Sequence, residues 1–216
     1  MKKYYIRLLL GFIILLLLVN SYPVKAELPL QGKVIVVDAG HGGLDPGTVY
    51  KDIYEKDINL SIAKYLEYEL NTMGATVILT RNSDNDLSNG VKYHRKKTDF
   101  DNRIKIINED YVDMYISIHL NYLSNNKYYG PQVFYNNDNK ELAMIIQDEL
   151  NMISTSNREI KQIPSNTYMD KKLTKKGVLI ECGFLSNYSE RSKLINKEYQ
   201  QMLANTITKG IIKYLQ

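Results

Sequence analysis

One cysteine, Cys182, is all that the 216-residue chain contains, so no internal disulfide can form. A chain of about 190 residues, which is what remains after the N-terminal segment, buries enough core to do without one. Histidine is scarce as well: His41, His94 and His119 are the full set. No His-Glu-x-x-His motif occurs, which excludes the helix-borne metalloprotease geometry. No Gly-x-Ser-x-Gly elbow surrounds Ser117, so a serine hydrolase finds no support. Repeats and low-complexity linkers are missing after residue 30, and this organisation suits one compact domain.

Net charge is also lacking once the N-terminus is set aside. Residues 1–26 hold four of the 28 basic residues and none of the 24 acidic ones, so the rest of the chain balances at 24 against 24. A neutral domain offers no basic face for nucleic acid. The four cations belong to an export pattern. Lys2, Lys3 and Arg7 precede an apolar run from Leu8 to Val19, and Val24-Lys25-Ala26 resembles a small-x-Ala cleavage site. The run is short of the roughly 20 residues that span a bilayer. Residues 1–26 are therefore expected to be a signal peptide or an N-terminal membrane anchor, residues 27–216 a single exported domain.

What the chain does have is Val34-Ile-Val-Val-Asp-Ala-Gly-His-Gly-Gly43. Four consecutive β-branched aliphatics fit a strand buried on both faces, which delivers Asp38 and His41 into a glycine turn. An irregular loop follows to Lys56, with Glu55 near its end. The spacing then predicts a helix over 58–73, stopped by Gly74, and a strand over 76–79, completing a βαβ unit. Residues 81–97 read as a long exposed loop. A helix over 98–108, strands over 114–118 and 132–135, a helix over 140–153, a strand over 177–180 and a helix over 198–215 complete the order. Residues 154–176 carry no clear pattern. The class is α/β, with a mostly parallel sheet.

His41, His119 and Glu181 each come just after an apolar strand, and Glu55 lies in the loop leaving the first of them. Open α/β sheets place their chemistry beyond the carboxyl ends of strands. Two imidazoles and a carboxylate form the ligand set of a catalytic zinc. A second carboxylate outside that set can act as general base and then as acid. Asp52 and Asp57 are near enough to Glu55 to stand in for it.

These residues carry a family resemblance. Val34–Gly43, Glu55, Tyr115–Asn121 and Val178–Asn187 resemble, in order, four blocks of the zinc-dependent N-acetylmuramoyl-L-alanine amidases, the amidase_3 group. The likeness runs from about residue 32 to the C-terminus, and its single-domain build is most similar to the spore-cortex branch. It implies a twisted, mostly parallel six-stranded sheet flanked by helices on both faces. It also implies zinc (Zn2+) held by His41, Glu55 and His119, with Glu181 as the catalytic base. The implied substrate is peptidoglycan, cut between N-acetylmuramic acid and L-alanine on the way to the muramic-δ-lactam needed for germination. The implied place is the forespore intermembrane space or cortex, and clostridial relatives suggest an exported lipoprotein as accessory activator, with 82–97 and 154–176 as the segments to meet it. Ala39, where many relatives have Pro, should loosen the turn, and Leu120, where a small residue is commoner, should narrow the cleft. A wall-binding module with weak catalysis and a zinc peptidase cutting stem peptides are the alternatives.

The remaining polar residues have plainer readings. Asp38 and Asn121 are candidates for orienting the imidazoles, or for ordinary turn bonds. Arg103 could hold a substrate carboxylate, but a solvated or ion-paired helix face fits better. His94, in the basic run 92–97, reads as solvated, and Cys182 as an inert packed thiol.

Overall fold

The computed structural model describes residues 1–19, 27–136 and 138–216. Lys2–Val19 forms a helix, α1. No described helix is long and apolar enough to cross a membrane, and the expected cleavage site at 24–26 lies outside the described residues.

The first apolar run forms β1 (Val34–Ala39), buried from Ile35 onward. A two-stranded hairpin follows, β2 (Val49–Tyr50) with β3 (Ile53–Tyr54), inside the loop that the sequence left irregular. Then come α2 (Glu55–Thr72), β4 (Thr76–Leu79), α3 (Arg95–Ile107), β5 (Met114–Asn121), β6 (Gln132–Tyr135), α4 (Lys140–Met152), β7 (Lys161–Gln162), β8 (Lys176–Phe184), α5 (Tyr188–Leu194) and α6 (Lys197–Leu215). The main sheet has six strands in the order β4-β1-β5-β8-β6-β7. All neighbours are parallel except β6 and β8. β7 is the strand that the unpatterned 154–176 segment supplies; two exposed polar residues on an edge have no hydrophobic alternation to announce them.

Side-chain alternation sorts the sheet residues onto two faces. Ile35, Val37, Ile116, Ile118, Val178 and Ile180 pack in one core with α2, α4 and α6. Val36 and Tyr115 point the other way and pack with Ile104 and Ile107 of α3 and with Leu173. Asp38, Ser117, His119, Leu179 and Glu181 share the parity of that second face. Leu120 faces the helices and is 3% exposed, so it does not narrow the cleft. Its place in the core follows from the same alternation.

Residues 81–97 are largely exposed, as expected of a long loop, but they are pinned at a few points. Arg81, Leu87 and Ser88 are buried, and α3 begins at Arg95. Leu87 N–H donates to Asp99 Oδ1 at 2.7 Å, and Asn102 donates to the Leu87 carbonyl at 2.6 Å. Polar composition here reflects exposure together with these few hydrogen-bonded anchors.

Candidate metal centre

His41, Glu55 and His119 meet although 78 residues separate the first from the last. Their donor atoms lie within 4.8 Å of one another. Glu55 Oε1 is 3.2 Å from His41 Nε2 and 3.1 Å from His119 Nδ1, and the two rings stand edge to face at 5.0 Å. Tetrahedral zinc with bonds of about 2.0–2.1 Å spaces its ligand atoms roughly 3.3 Å apart, close to the two separations that Glu55 makes with the histidines. Three donors of the right chemistry fit one small cation.

Each group is held by its own element. His41 follows β1 in a left-handed backbone conformation (φ 62°), which is uncommon for a residue with a side chain. Two backbone bonds between Gly42 and Asp45 close the turn, and Arg103 Nη2 donates to the His41 carbonyl at 2.6 Å. Gly40 keeps the turn close to β5, since a Cβ there would run into the His119 ring. Glu55 is the first residue of α2, not part of the preceding loop. Thr48 N–H donates to its Oε2 at 2.8 Å, and Leu120 N–H donates to its Oε1 at 3.0 Å. Asn59, one turn further along α2, approaches Oε1 at 3.3 Å and bonds the Gly40 carbonyl at 3.2 Å. Asp52 and Asp57 are not among the converging groups.

His119 and Glu181 lie inside their strands rather than beyond them, paired across the β5–β8 register just before a bulge at His119 to Asn121. Both therefore project from the same face. Glu181 Oε2 is covered and has no hydrogen-bond partner among the described residues. Burial, only partly offset by His119, raises its carboxyl to about 7. Glu55 shows the opposite balance: burial disfavours its charge, but bonds to His119 and His41 overcome that and hold it well below the carboxylate range. Burial likewise opposes charge on His41, and the bonds to Asp45 and Glu55 outweigh it, lifting the imidazole to about 9.

A model of the Amidase_3 family, N-acetylmuramoyl-L-alanine amidase, matches residues 35–213. The chain belongs to that family. As a member it is an N-acetylmuramoyl-L-alanine amidase, a hydrolase acting on peptidoglycan. It is 42% identical to the germination-specific N-acetylmuramoyl-L-alanine amidase of Bacillus subtilis (strain 168), over 99% of this chain and 95% of that protein. It is similar in structure to the CwlD amidase of Clostridioides difficile, solved in complex with the GerS lipoprotein, with a TM-score of 0.79 and 42% identity over 85% of this chain and 98% of that one. A second amidase, from Clostridium difficile 630, aligns with a TM-score of 0.75 and 34% identity over 85% of this chain and 96% of that one. The six-stranded sheet is the fold these relatives share with the amidase described above.

Around this amidase's site, several residues take roles other than those expected. Asp38 does not touch an imidazole. Its carboxylate accepts from Thr80 at 2.8 Å, from Ser117 at 2.7 Å and from Arg103 at 2.6 Å. Arg103 is 2% exposed, pairs with Asp38 and Asp99, and donates to the Ala39 carbonyl. It is ion-paired as expected, but buried rather than solvated, because the strand it braces lies inside the protein. Arg81 also donates to the carbonyls of Ala39 and Gly40, so two guanidinium groups hold the turn that Ala39 was expected to loosen. Asn121 lies past the bulge and gives its carbonyl to Leu185 N–H. The residue that does orient an imidazole is Asp45, whose Oδ2 is 3.0 Å from His41 Nδ1. No sequence pattern pointed to it, because the contact depends on the turn closed between Gly42 and Asp45. His94 is exposed, and Cys182 is fully buried with its thiol pushed up by that burial.

Proposed function

We propose that this amidase is a zinc enzyme in which His41, Glu55 and His119 hold the metal and Glu181 moves the proton. The observation that carries the reading is the approach of His41 Nε2 and His119 Nδ1 to the same oxygen of Glu55. Bound there, zinc would polarise the scissile carbonyl and acidify solvent at the site.

The chain's own residues do the rest. Asp45 fixes the His41 tautomer by accepting from Nδ1, which leaves Nε2 to face the centre. The Glu181 carboxylate accepts the proton of the attacking water and then delivers it to the departing nitrogen of L-alanine. A carboxyl raised to about 7 suits a group that must both take and release a proton near neutral pH.

The bond cut is the amide joining the lactyl group of N-acetylmuramic acid to L-alanine, which frees the stem peptide. The likeness to a germination-specific amidase supports a role in spore cortex, where the stripped glycan leads to muramic-δ-lactam. The 1–26 leader pattern supports export as a secreted or membrane-anchored protein, into the forespore intermembrane space or cortex. The relative solved with a lipoprotein supports an exported lipoprotein as accessory partner. Mass analysis of peptidoglycan treated with zinc-loaded protein tests the bond: free stem peptides beginning at L-alanine are expected. Fragments cut within the stem peptide, with muramic acid still attached, would instead make it a peptidase.

A further inference from the structure

A cleft of about 430 Å³ lies between segments 127–132 and 156–161. Topology places it at the catalytic edge of the sheet. β6 runs antiparallel to β8 and β7 parallel to β6, so the residues opening β6 and β7 lie where β5 and β8 end. Gln132 lines the cleft and stands directly across from Glu181 in the β6–β8 register.

The lining is cationic. Lys127, Arg158 and Lys161 face it with one acid, Glu159. Among the described residues, none of the three cations forms an ion pair. Arg158 is held in place: its guanidinium sits 4.8 Å from the Phe184 ring and 5.4 Å from the Tyr128 ring, and its Nε donates to the Tyr129 carbonyl at 2.9 Å. Phe184 is three residues beyond Glu181 on β8. A fixed guanidinium with two lysines beside it, in a domain whose net charge balances, suits a carboxylate.

We infer that this cleft is a subsite for a free carboxylate of the stem peptide, on the leaving-group side of the scissile amide. The subsite rests on the amidase activity and not on the zinc assignment. It makes the enzyme favour stem peptides whose carboxylates are free over those whose carboxylates are amidated.

The test compares two muramyl peptides, identical except that the stem-peptide carboxylates are free in one and amidated in the other. Both are assayed with the parent protein and with a Lys127→Gln/Lys161→Gln double variant. Arg158 stays intact because it also packs against Phe184. The parent should show a KM roughly fivefold lower for the free carboxylate, as two exposed ion pairs allow. The gap should narrow in the double variant, where Arg158 alone remains, with kcat unchanged, and shrink with added salt in the parent. Equal KM values in the parent, or a gap that the double variant leaves undiminished, overturn the subsite. Calorimetric Kd values for the same pairs make the comparison without turnover, so a failure of the catalytic assignment remains distinct from a failure of the subsite.

Discussion

Asp45 Oδ2 lies 3.0 Å from His41 Nδ1, four residues further along the same turn, so the imidazole is gripped from behind while its other nitrogen faces Glu55. Asp45→Ala frees the ring to rotate and change tautomer. Zinc affinity should fall by about 10–100-fold, the usual cost of losing such an orienting partner. Competition with a chromophoric chelator measures it. Asp45→Asn, which can still accept from Nδ1, should lose less. Unchanged affinity in the alanine variant would mean that the turn alone orients His41.

Glu181→Gln removes the proton acceptor and keeps the size. Turnover should drop by about 10²–10⁴-fold, the typical share of general acid–base catalysis, with zinc content unchanged. A glutamine variant as active as the parent assigns the proton transfer elsewhere.

Arg103 and Asp38 form a buried ion pair, each about 2% exposed by side chain. Arg103→Met leaves the Asp38 carboxylate without its buried cation and the His41 carbonyl without this side-chain donor, while the Ala39 carbonyl keeps Arg81. Breaking such a pair costs about 3–5 kcal/mol. Denaturant unfolding should show that loss, and zinc affinity should fall with it because the His41 turn loses a brace. A loss below about 1 kcal/mol would contradict the assignment of Arg103 as the brace of this edge.

Asp170 is half-buried beside Asn136, and burial raises its carboxyl from 3.8 to about 6. Between those values the folded chain keeps a proton that the unfolded chain has released. Stability contributed by this group therefore declines as pH rises through that window, and the penalty is complete above it. Asp170→Asn removes the penalty. The variant should melt higher than the parent at pH 7.5, with the difference closing by pH 4. A variant less stable than the parent at pH 7.5 shows that the charged form makes a favourable contact.

The sequence made the buried strands and the site legible for the same physical reason. Val34–Val37 and Val178–Ile180 are apolar on both faces, and chemistry-bearing residues at such strand ends must converge at one sheet edge. His41, Glu55, His119 and Glu181 were singled out this way, and the donor atoms of the first three do converge, although the strands holding His119 and Glu181 run further than their apolar cores. The roles of Arg103, Arg81 and Asp45 were not legible. Their side chains serve backbone carbonyls or one ring nitrogen, and such pairings depend on turn geometry that no periodicity reports. β7 and the β2–β3 hairpin were missed because two-residue strands carry no alternation.

One cation shared by His41, Glu55 and His119 is the centre of the proposed chemistry. X-ray absorption at the zinc edge of the purified, zinc-loaded protein measures it, together with metal content per chain in His41→Ala, Glu55→Ala and His119→Ala. One zinc with nitrogen and oxygen neighbours at about 2.0–2.1 Å, imidazole outer-sphere scattering, and loss of metal in each variant are expected. A folded parent that binds no zinc, or a spectrum with sulfur from Cys182 as a ligand, would contradict it.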